Sequence, residues 1–241
     1  MINQKKFNFI IPVYNEAQNI EPTILFIKES FFSSDYVITF VDDNSPDGTA
    51  STVFRLKKKY PEIELLQHGK KTGLGAAILF GYNNSKSDYI IGLDADLSQS
   101  PVFLKAMNEM IQNGSDMVIG SRYAQGGTVL GKSKLRLLGS IIMNKIASNL
   151  LALDIMDISH TFRIFKRDII LKIGSSLKEK GHPSFLIEFT YHAKLNKFKI
   201  NECPITFIER TNERGVSKLS ASKEIIPFFK TVFKLIKKNH N

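Results

Sequence analysis

The sequence predicts an α/β protein built on a mostly parallel, twisted sheet with helices on both faces, and three observations lead there. Short β-rich runs alternate with helical patterns through the first half of the chain, the order that crossover-connected parallel strands require. With 241 residues, 43% of them hydrophobic, the chain fills one generous domain and has the apolar content for a sizeable core. Polar, acidic clusters recur where the early β-rich runs stop, at the carboxyl ends where open parallel sheets hold their ligands.

In order, strands are expected at Phe7 to Val13, Tyr36 to Val41, Ile63 to Gln67, Tyr89 to Leu93 and Met117 to Gly120. Between them helices are expected from Ile20 to Phe31, Thr49 to Lys59 and Leu74 to Asn83, with one more after Pro101, a residue suited to a first helical turn. The second half is less regular. The Gly-rich stretch Ala124 to Gly131 reads as a mobile loop. A long helix is expected from Lys134 to Leu153, strands at Thr161 to Phe165 and Lys199 to Ile208, and a helix from Phe185 to Asn196 between those strands. The last segment, Ser222 to Lys238, interleaves apolar residues with lysines and reads as a basic amphipathic helix. No repeat, low-complexity tract or linker divides the chain. The expected organisation is a single domain over 1–241, with a ligand-binding half (1–120), a second half (121–221) and the terminal helix (222–241).

Thirty-three Lys and Arg against 23 Asp and Glu leave a net charge of +10, which wants an anionic partner: nucleic acid, a membrane surface or phosphorylated substrates. Composition does not choose among them, but no nucleic-acid recognition motif is visible and no nucleic-acid partner is expected. The lone Cys203 forms no internal disulfide, in keeping with a reducing, cytoplasmic setting. The longest uncharged stretch, Thr72 to Ser85, is 14 residues and holds three glycines, too short and too polar to span a bilayer.

Three clusters sit at expected strand ends: PVYNE (Pro12 to Glu16), DDNSPDGT (Asp42 to Thr49) and DADLS (Asp94 to Ser98). Taken singly, an Asp after a strand is an ordinary turn or helix cap. Asp94 and Asp96 are the sharpest pair, because i and i+2 of an extended segment project to the same side. Two adjacent carboxylates repel each other, a conflict that a hard divalent cation removes. Magnesium and manganese prefer such oxygen ligands and complete their shells with water and phosphate.

The strings IIPVYNE, VDDNSPDGT, GKKTGLGAA, DADLS and GSRY together resemble the inverting GT-A glycosyltransferases of family 2. More narrowly they are similar to the dolichol- or polyprenol-phosphate mannosyltransferases, in a short form without their transmembrane helices. The resemblance covers Ile10 to about Ser220. It implies transfer of a sugar, mannose from GDP-mannose, onto a polyprenyl or dolichyl phosphate, with Mg2+ or Mn2+ as cofactor. By this resemblance Pro12, Tyr14, Glu16, Asp43 and Lys71 bind the nucleotide-sugar together with Asp94, and Asp94, Asp96 and Ser98 surround the metal. Gln99 is the alternative to Ser98. Arg122, Arg136 and Ser140 receive the acceptor phosphate, so the catalytic set is Asp94, Asp96, Arg122 and Arg136. Arg210 and Lys218 match a late motif that closes over the donor diphosphate, with Arg214 as an alternative to Arg210.

Two departures from the family pattern stand out. Ser159-His-Thr-Phe-Arg163 replaces a glycine-containing motif, and two extra residues lie between Arg210 and Gly215. His160, in the altered motif, is the one histidine with a route to the acceptor. A UDP-sugar donor, UDP-glucose for example, and a sugar-hydroxyl acceptor served by Glu188 as base stay open alternatives. A lipid acceptor implies a peripheral place on the cytoplasmic face of a membrane. The chain reaches it through Ile225 to Lys238 or through a small membrane-anchoring subunit.

Overall fold

A computed structural model of the chain describes residues 5–67, 69, 71–178, 182, 184–209 and 221–239. Arg210, Arg214 and Lys218 lie outside the described residues.

Alternation along the first strand sets the two layers. In β1 (Phe7–Val13) the side chains of Phe7, Phe9, Ile11 and Val13 enter one hydrophobic cluster while Ile10 enters the other, the period-2 projection of a strand buried on both faces. The first cluster is covered by α1 (Ile20–Ser30), α2 (Thr49–Leu56) and α4 (Leu104–Gln112). The second is covered by α3 (Leu74–Asn84), α6 (Arg167–Ile173), α7 (Phe185–Leu195) and α8 (Ala221–Asn239). Asn8 is the polar exception in β1, and it is satisfied by Ser85 and Thr39 hydroxyls at 3.1 and 2.9 Å.

One sheet of seven strands runs β3-β2-β1-β4-β7-β5-β8, using β2 (Tyr36–Asp42), β3 (Ile63–Gln67), β4 (Tyr89–Gly92), β5 (Met117–Ser121), β7 (Arg163–Lys166) and β8 (Ile200–Pro204). All neighbours pair in parallel except β7, which lies antiparallel to both β4 and β5. That insertion matters for the site. Arg163, the first residue of β7, pairs with Gly92 and with Ile119, near the carboxyl ends of β4 and β5. The residues just before it, His160 and Thr161, are thereby carried to the edge where Asp94 stands.

Three sequence expectations change. The stretch expected as a mobile loop contains β6 (Thr128–Leu130), which pairs in parallel with β9 (Thr206–Ile208) as a separate two-stranded sheet. The single strand expected from Lys199 to Ile208 is broken after Pro204, so its halves serve different sheets. The long helix α5 (Lys134–Leu150) stops before Leu153, and Ala152 and Asp154 take positive φ of 49° and 55°. Helix α6 was not anticipated: its seven residues follow β7 directly and show only one turn of periodicity.

Among the described residues no helix is long and apolar enough to cross a membrane. The terminal helix turns Phe228, Val232 and Leu235 into the core. Phe229 and Ile236 pack against the same cluster. The apolar residues it leaves exposed are Ile225, Ile226 and Phe233. Most of its greasy face therefore closes the fold.

Candidate active site

The carboxyl edge of β1, β2 and β4 supplies the first wall. Asn15 and Asn44 adopt left-handed φ of 55° and 63° just past β1 and β2, a conformation asparagine tolerates better than most residues. The two turns are laced together: Asp47 accepts hydrogen bonds from the Ala17 and Thr49 amides at 3.1 and 3.0 Å, and Ser45 Oγ accepts from the Asn15 amide at 3.0 Å. Asp43 holds the next loop. Its Oδ1 accepts from the Thr72 amide at 2.8 Å and its Oδ2 from the Gly73 amide at 2.8 Å. Gly73, at φ 96°, then opens α3, and Lys71 places its ammonium 3.8 Å from the centre of the Tyr14 ring.

Of these residues Tyr14, Asn15, Asp43, Lys71 and Gly73 line a cleft of about 710 Å³, together with Pro12, Glu16, Asp94, Asp96 and Arg122. Every residue assigned from sequence to the nucleotide-sugar is in that lining, apart from Arg210 and Lys218, which lie outside the described residues. A second cleft of about 600 Å³ holds Arg136, Ser140, Tyr123, His160 and Thr161. The two clefts share a wall made by Leu74, Asp94, Arg122, Lys132, Phe207 and Glu209.

Asp94 is the most perturbed acid at this junction. Burial and the neighbouring Asp96 push its carboxyl up to about 7, against hydrogen bonds from Gln99 and Thr161 and the Arg122 charge, which favour the ionised form. Gln99 holds it at two points: Nε2 donates to Asp94 Oδ2 at 2.6 Å, and Oε1 accepts from the Asp94 amide at 3.1 Å. Ser98 donates its hydroxyl to Asp96 Oδ1 at 2.5 Å and is buried. Ser98 and Gln99 are thus engaged in orienting the two carboxylates, and neither lines the clefts.

Asp94 and Asp96 fit a divalent cation. They are hard oxygen donors in mutual repulsion, and among the described residues no group of three His, Cys, Asp or Glu could hold a metal alone. A cation held there by these two carboxylates would need water and a bound diphosphate for its remaining ligands, as magnesium and manganese commonly do.

The cations are arranged differently from one another. Arg122 is clamped side-on by Asp157, with Nε to Oδ2 at 2.7 Å and Nη2 to Oδ1 at 2.8 Å, and its own amide also donates to Oδ2 at 3.1 Å. Burial opposes the guanidinium's charge, but Asp157 outweighs it and holds Arg122 above its ordinary range. Burial also opposes the charge of Asp157, and Arg122 outweighs it in turn, holding that carboxyl below the usual range. Arg136 is exposed on the first turn of α5, one turn from Ser140. Lys132, absent from the sequence assignment, donates to Ser140 Oγ at 2.9 Å from the loop between β6 and α5.

His160 is buried, with Nδ1 2.6 Å from the Gly120 carbonyl and Nε2 3.4 Å from Gln99 Nε2. A proton on Nδ1 donates to the carbonyl and leaves Nε2 to accept from Gln99. Burial and the Arg122 charge press the imidazole down to about 3, so it is neutral at ordinary pH. Its place is behind Gln99, supporting the Asp94 clamp. Glu188 lines neither cleft; it is buried on α7 and its Oε2 accepts from the Lys178 amide at 2.7 Å.

Sequence reasoning missed Asp157, Lys132 and Tyr123. Asp157 pairs with a residue 35 positions away, and nothing local marks it. Lys132 had a faint signal, a cation beside a glycine just before a helix, at the end of the Gly-rich stretch.

Comparison with known proteins shows the family and the fold. Residues 8–174 match the description Glycosyl transferase family 2. The polyprenol monophosphomannose synthase of Mycolicibacterium smegmatis is 37% identical over 219 residues, covering 88% of this chain and 80% of that one. The dolichol-phosphate mannosyltransferase of Pyrococcus furiosus is 34% identical over 235 residues, covering 96% of this chain but only 64% of its own length. Among solved structures, glucosyl-3-phosphoglycerate synthase from Mycobacterium tuberculosis with Mn2+, UDP-glucose and phosphoglyceric acid superposes with a TM-score of 0.70 at 13% identity, over 97% of this chain and 80% of that one. A mannosyltransferase from Pyrobaculum calidifontis with GDP-Man and Mn2+ gives 0.60 at 19% identity, over 89% of this chain and 59% of that one. These likenesses establish the GT-A type of fold. With the family match across most of the sheet and relatives above 30% identity over nearly the whole chain, the protein is a glycosyltransferase and belongs to glycosyl transferase family 2.

Proposed function

We propose that this enzyme transfers mannose from GDP-mannose to a polyprenyl or dolichyl monophosphate, with inversion and with the help of Mg2+ or Mn2+. The observation that carries the reading is the pair of clefts meeting at Asp94, Arg122 and Lys132. The first is walled by the residues assigned to the nucleotide-sugar, and the second by Arg136, Ser140 and apolar side chains. The names of the two relatives quoted above point to the same reaction.

A phosphate monoester has its second ionisation near pH ~6 and is mostly a dianion at neutral pH. Its oxygen attacks the anomeric carbon opposite the leaving group, a bond to that oxygen forms, and the bond to the β-phosphate breaks with its electron pair. No proton has to be removed, so no general base is needed. This agrees with burial and the Arg122 charge pressing His160 down to about 3, too weak a base to draw off a proton, and with Glu188 standing away from both clefts. Arg122, locked by Asp157, offers a pre-oriented cation, and Arg136 and Ser140 complete an anion seat. When bound at Asp94 and Asp96, a divalent ion supplies charge compensation for the departing diphosphate.

The acceptor's lipid belongs in a membrane, and one face suits it. Along α5, Leu135, Leu138, Ile142, Ile146 and Leu150 are all exposed, Leu135 by 82%, at helical spacing on one side. Helix α8 packs beside α5 and adds Ile225, Ile226 and Phe233. Leu135, Ile225 and Phe228 also line the second cleft, so this face leads into it. Lys134, Lys145, Lys230 and Lys237 are exposed on the same two helices. A peripheral seat on an anionic leaflet follows, with or without a small anchoring subunit.

The test is a transfer assay with GDP-mannose, UDP-glucose and other nucleotide-sugars against prenyl phosphates, free prenols and free sugars, with and without Mg2+ or Mn2+. Mannosyl transfer to prenyl phosphate alone is expected. The variant Arg136→Ala should weaken acceptor use roughly tenfold to a hundredfold and leave nucleotide binding nearly intact. Transfer to a sugar hydroxyl with prenyl phosphate inert would overturn the reading.

A further inference from the structure

Lys132 has the site's least explained placement. Gly131, at φ 84°, ends β6 and turns the chain so that the next residue enters the cleft wall. The Lys132 side chain is half-buried and lines both clefts, whereas Arg136 lines only the second. Its ammonium donates to the neutral hydroxyl of Ser140 at 2.9 Å, and Ser140 in turn donates to the Arg136 carbonyl at 2.9 Å. Burial, then the charges of Arg122 and Arg136, work against its ammonium form, with only partial relief from Glu209 and Asp157. A cation kept in such surroundings, with no carboxylate in contact among the described residues, is in wait of an anion.

Resting on the function proposed above, we propose that Lys132 is a catalytic residue of this chain. It grips the acceptor phosphate from the junction of the two clefts and stays in contact as charge crosses to the donor diphosphate. In the reaction the acceptor phosphate passes from a dianion to a monoanionic diester, while the nucleoside diphosphate leaves with one more negative charge. Charge is conserved, no proton moves, and the negative centre shifts across the wall where Lys132 stands. An arginine clamped side-on, like Arg122, cannot follow that shift. A compact ammonium on a flexible four-carbon stem can.

The experiment compares wild type with Lys132→Met and Lys132→Arg, using farnesyl phosphate in detergent as acceptor and GDP-mannose as donor. Steady-state constants are measured for each substrate, and GDP affinity by calorimetry. Lys132→Met should lower kcat/KM for the acceptor roughly tenfold to a hundredfold, the cost of a lost charge-assisted hydrogen bond. GDP affinity should fall as well, because the ammonium follows the charge onto the departing diphosphate. The melting temperature should be unchanged, and Lys132→Arg should recover part of the loss. Wild-type transfer with acceptor kcat/KM unaffected by Lys132→Met overturns the role of Lys132 and leaves the function standing. A loss confined to the donor KM overturns it as well. Wild-type inertness toward prenyl phosphate overturns the function itself, and the role of Lys132 with it.

Discussion

Gln99 and Asp94 are joined at two points, the glutamine amide nitrogen giving a 2.6 Å bond to the carboxylate and its oxygen taking a 3.1 Å bond from the Asp94 amide. The glutamine therefore fixes both the backbone and the side chain of the aspartate beside the cleft junction. It is itself backed by His160 and, through that ring, by the Gly120 carbonyl.

From this follows a metal prediction. Partners that orient a metal-binding carboxylate typically alter affinity 10–100-fold on mutation. Gln99→Ala should weaken Mn2+ binding in the presence of GDP by about that factor, read by electron paramagnetic resonance. Asp96→Ala should abolish transfer altogether, as should EDTA, with activity returning on addition of Mg2+ or Mn2+. Undiminished Mn2+ affinity in Gln99→Ala would show the clamp to be structural only.

The Arg122–Asp157 pair gives a prediction on stability and activity together. Asp157 is fully buried and receives three hydrogen bonds from Arg122. Removing one partner of a buried pair leaves the other uncompensated and costs about 3–5 kcal/mol. Asp157→Ala should lower the denaturation midpoint accordingly and lower turnover as well. A variant with wild-type stability would mean that water replaces the carboxylate.

His160 sets a pH dependence. Its folded-state pKa is depressed to about 3, against an ordinary value of 6.5. The unfolded chain therefore binds the extra proton first. The stability tied to keeping this ring neutral is complete above about pH 6.5 and is lost as pH falls toward about 3. Between pH 7 and pH 5 the loss amounts to about 2 kcal/mol. His160→Asn should flatten the stability-pH curve over that window by a similar amount in urea titrations. An unchanged slope would mean that the ring is protonated in the fold.

The membrane face can be separated into its charged and apolar parts. Changing Lys230, Lys234, Lys237 and Lys238 to Gln should weaken cosedimentation with anionic vesicles by roughly 1 kcal/mol for each lysine near the surface, and added salt should mimic the change. Leu138→Asn with Ile142→Asn should weaken binding to neutral vesicles also, at a cost of only about 1 kcal/mol in stability, because both side chains are already half exposed and asparagine is a poorer helix former. Binding that ignores salt and all these changes would assign membrane attachment to another protein.

Much of this molecule is written locally. The order of β1 to β5 follows from runs that can bury both faces, and the acidic clusters after β1, β2 and β4 follow from where those runs stop. Asp94 and Asp96 were legible as two close carboxylates after a strand, but β4 ends at Gly92 and Asp96 lies in a turn, so they are not the alternate residues of an extended segment that their spacing suggested. The face of α8 was only half legible. An amphipathic pattern shows that one side avoids water and not whether core or lipid covers it, and Phe228, Val232 and Leu235 went to the core. The antiparallel placement of β7 was decided by tertiary structure, and with it the arrival of His160 and Thr161 behind Asp94. So was the partnership of Arg122 with Asp157, and of Lys132 with Ser140 in the wall of the second cleft. The reason is that periodicity and turn chemistry act over a few residues, whereas strand order and side-chain pairing are fixed by burying distant segments together. By itself the sequence determined which chemical groups stand at the sheet's edge. Only the folded chain decided which of them meet.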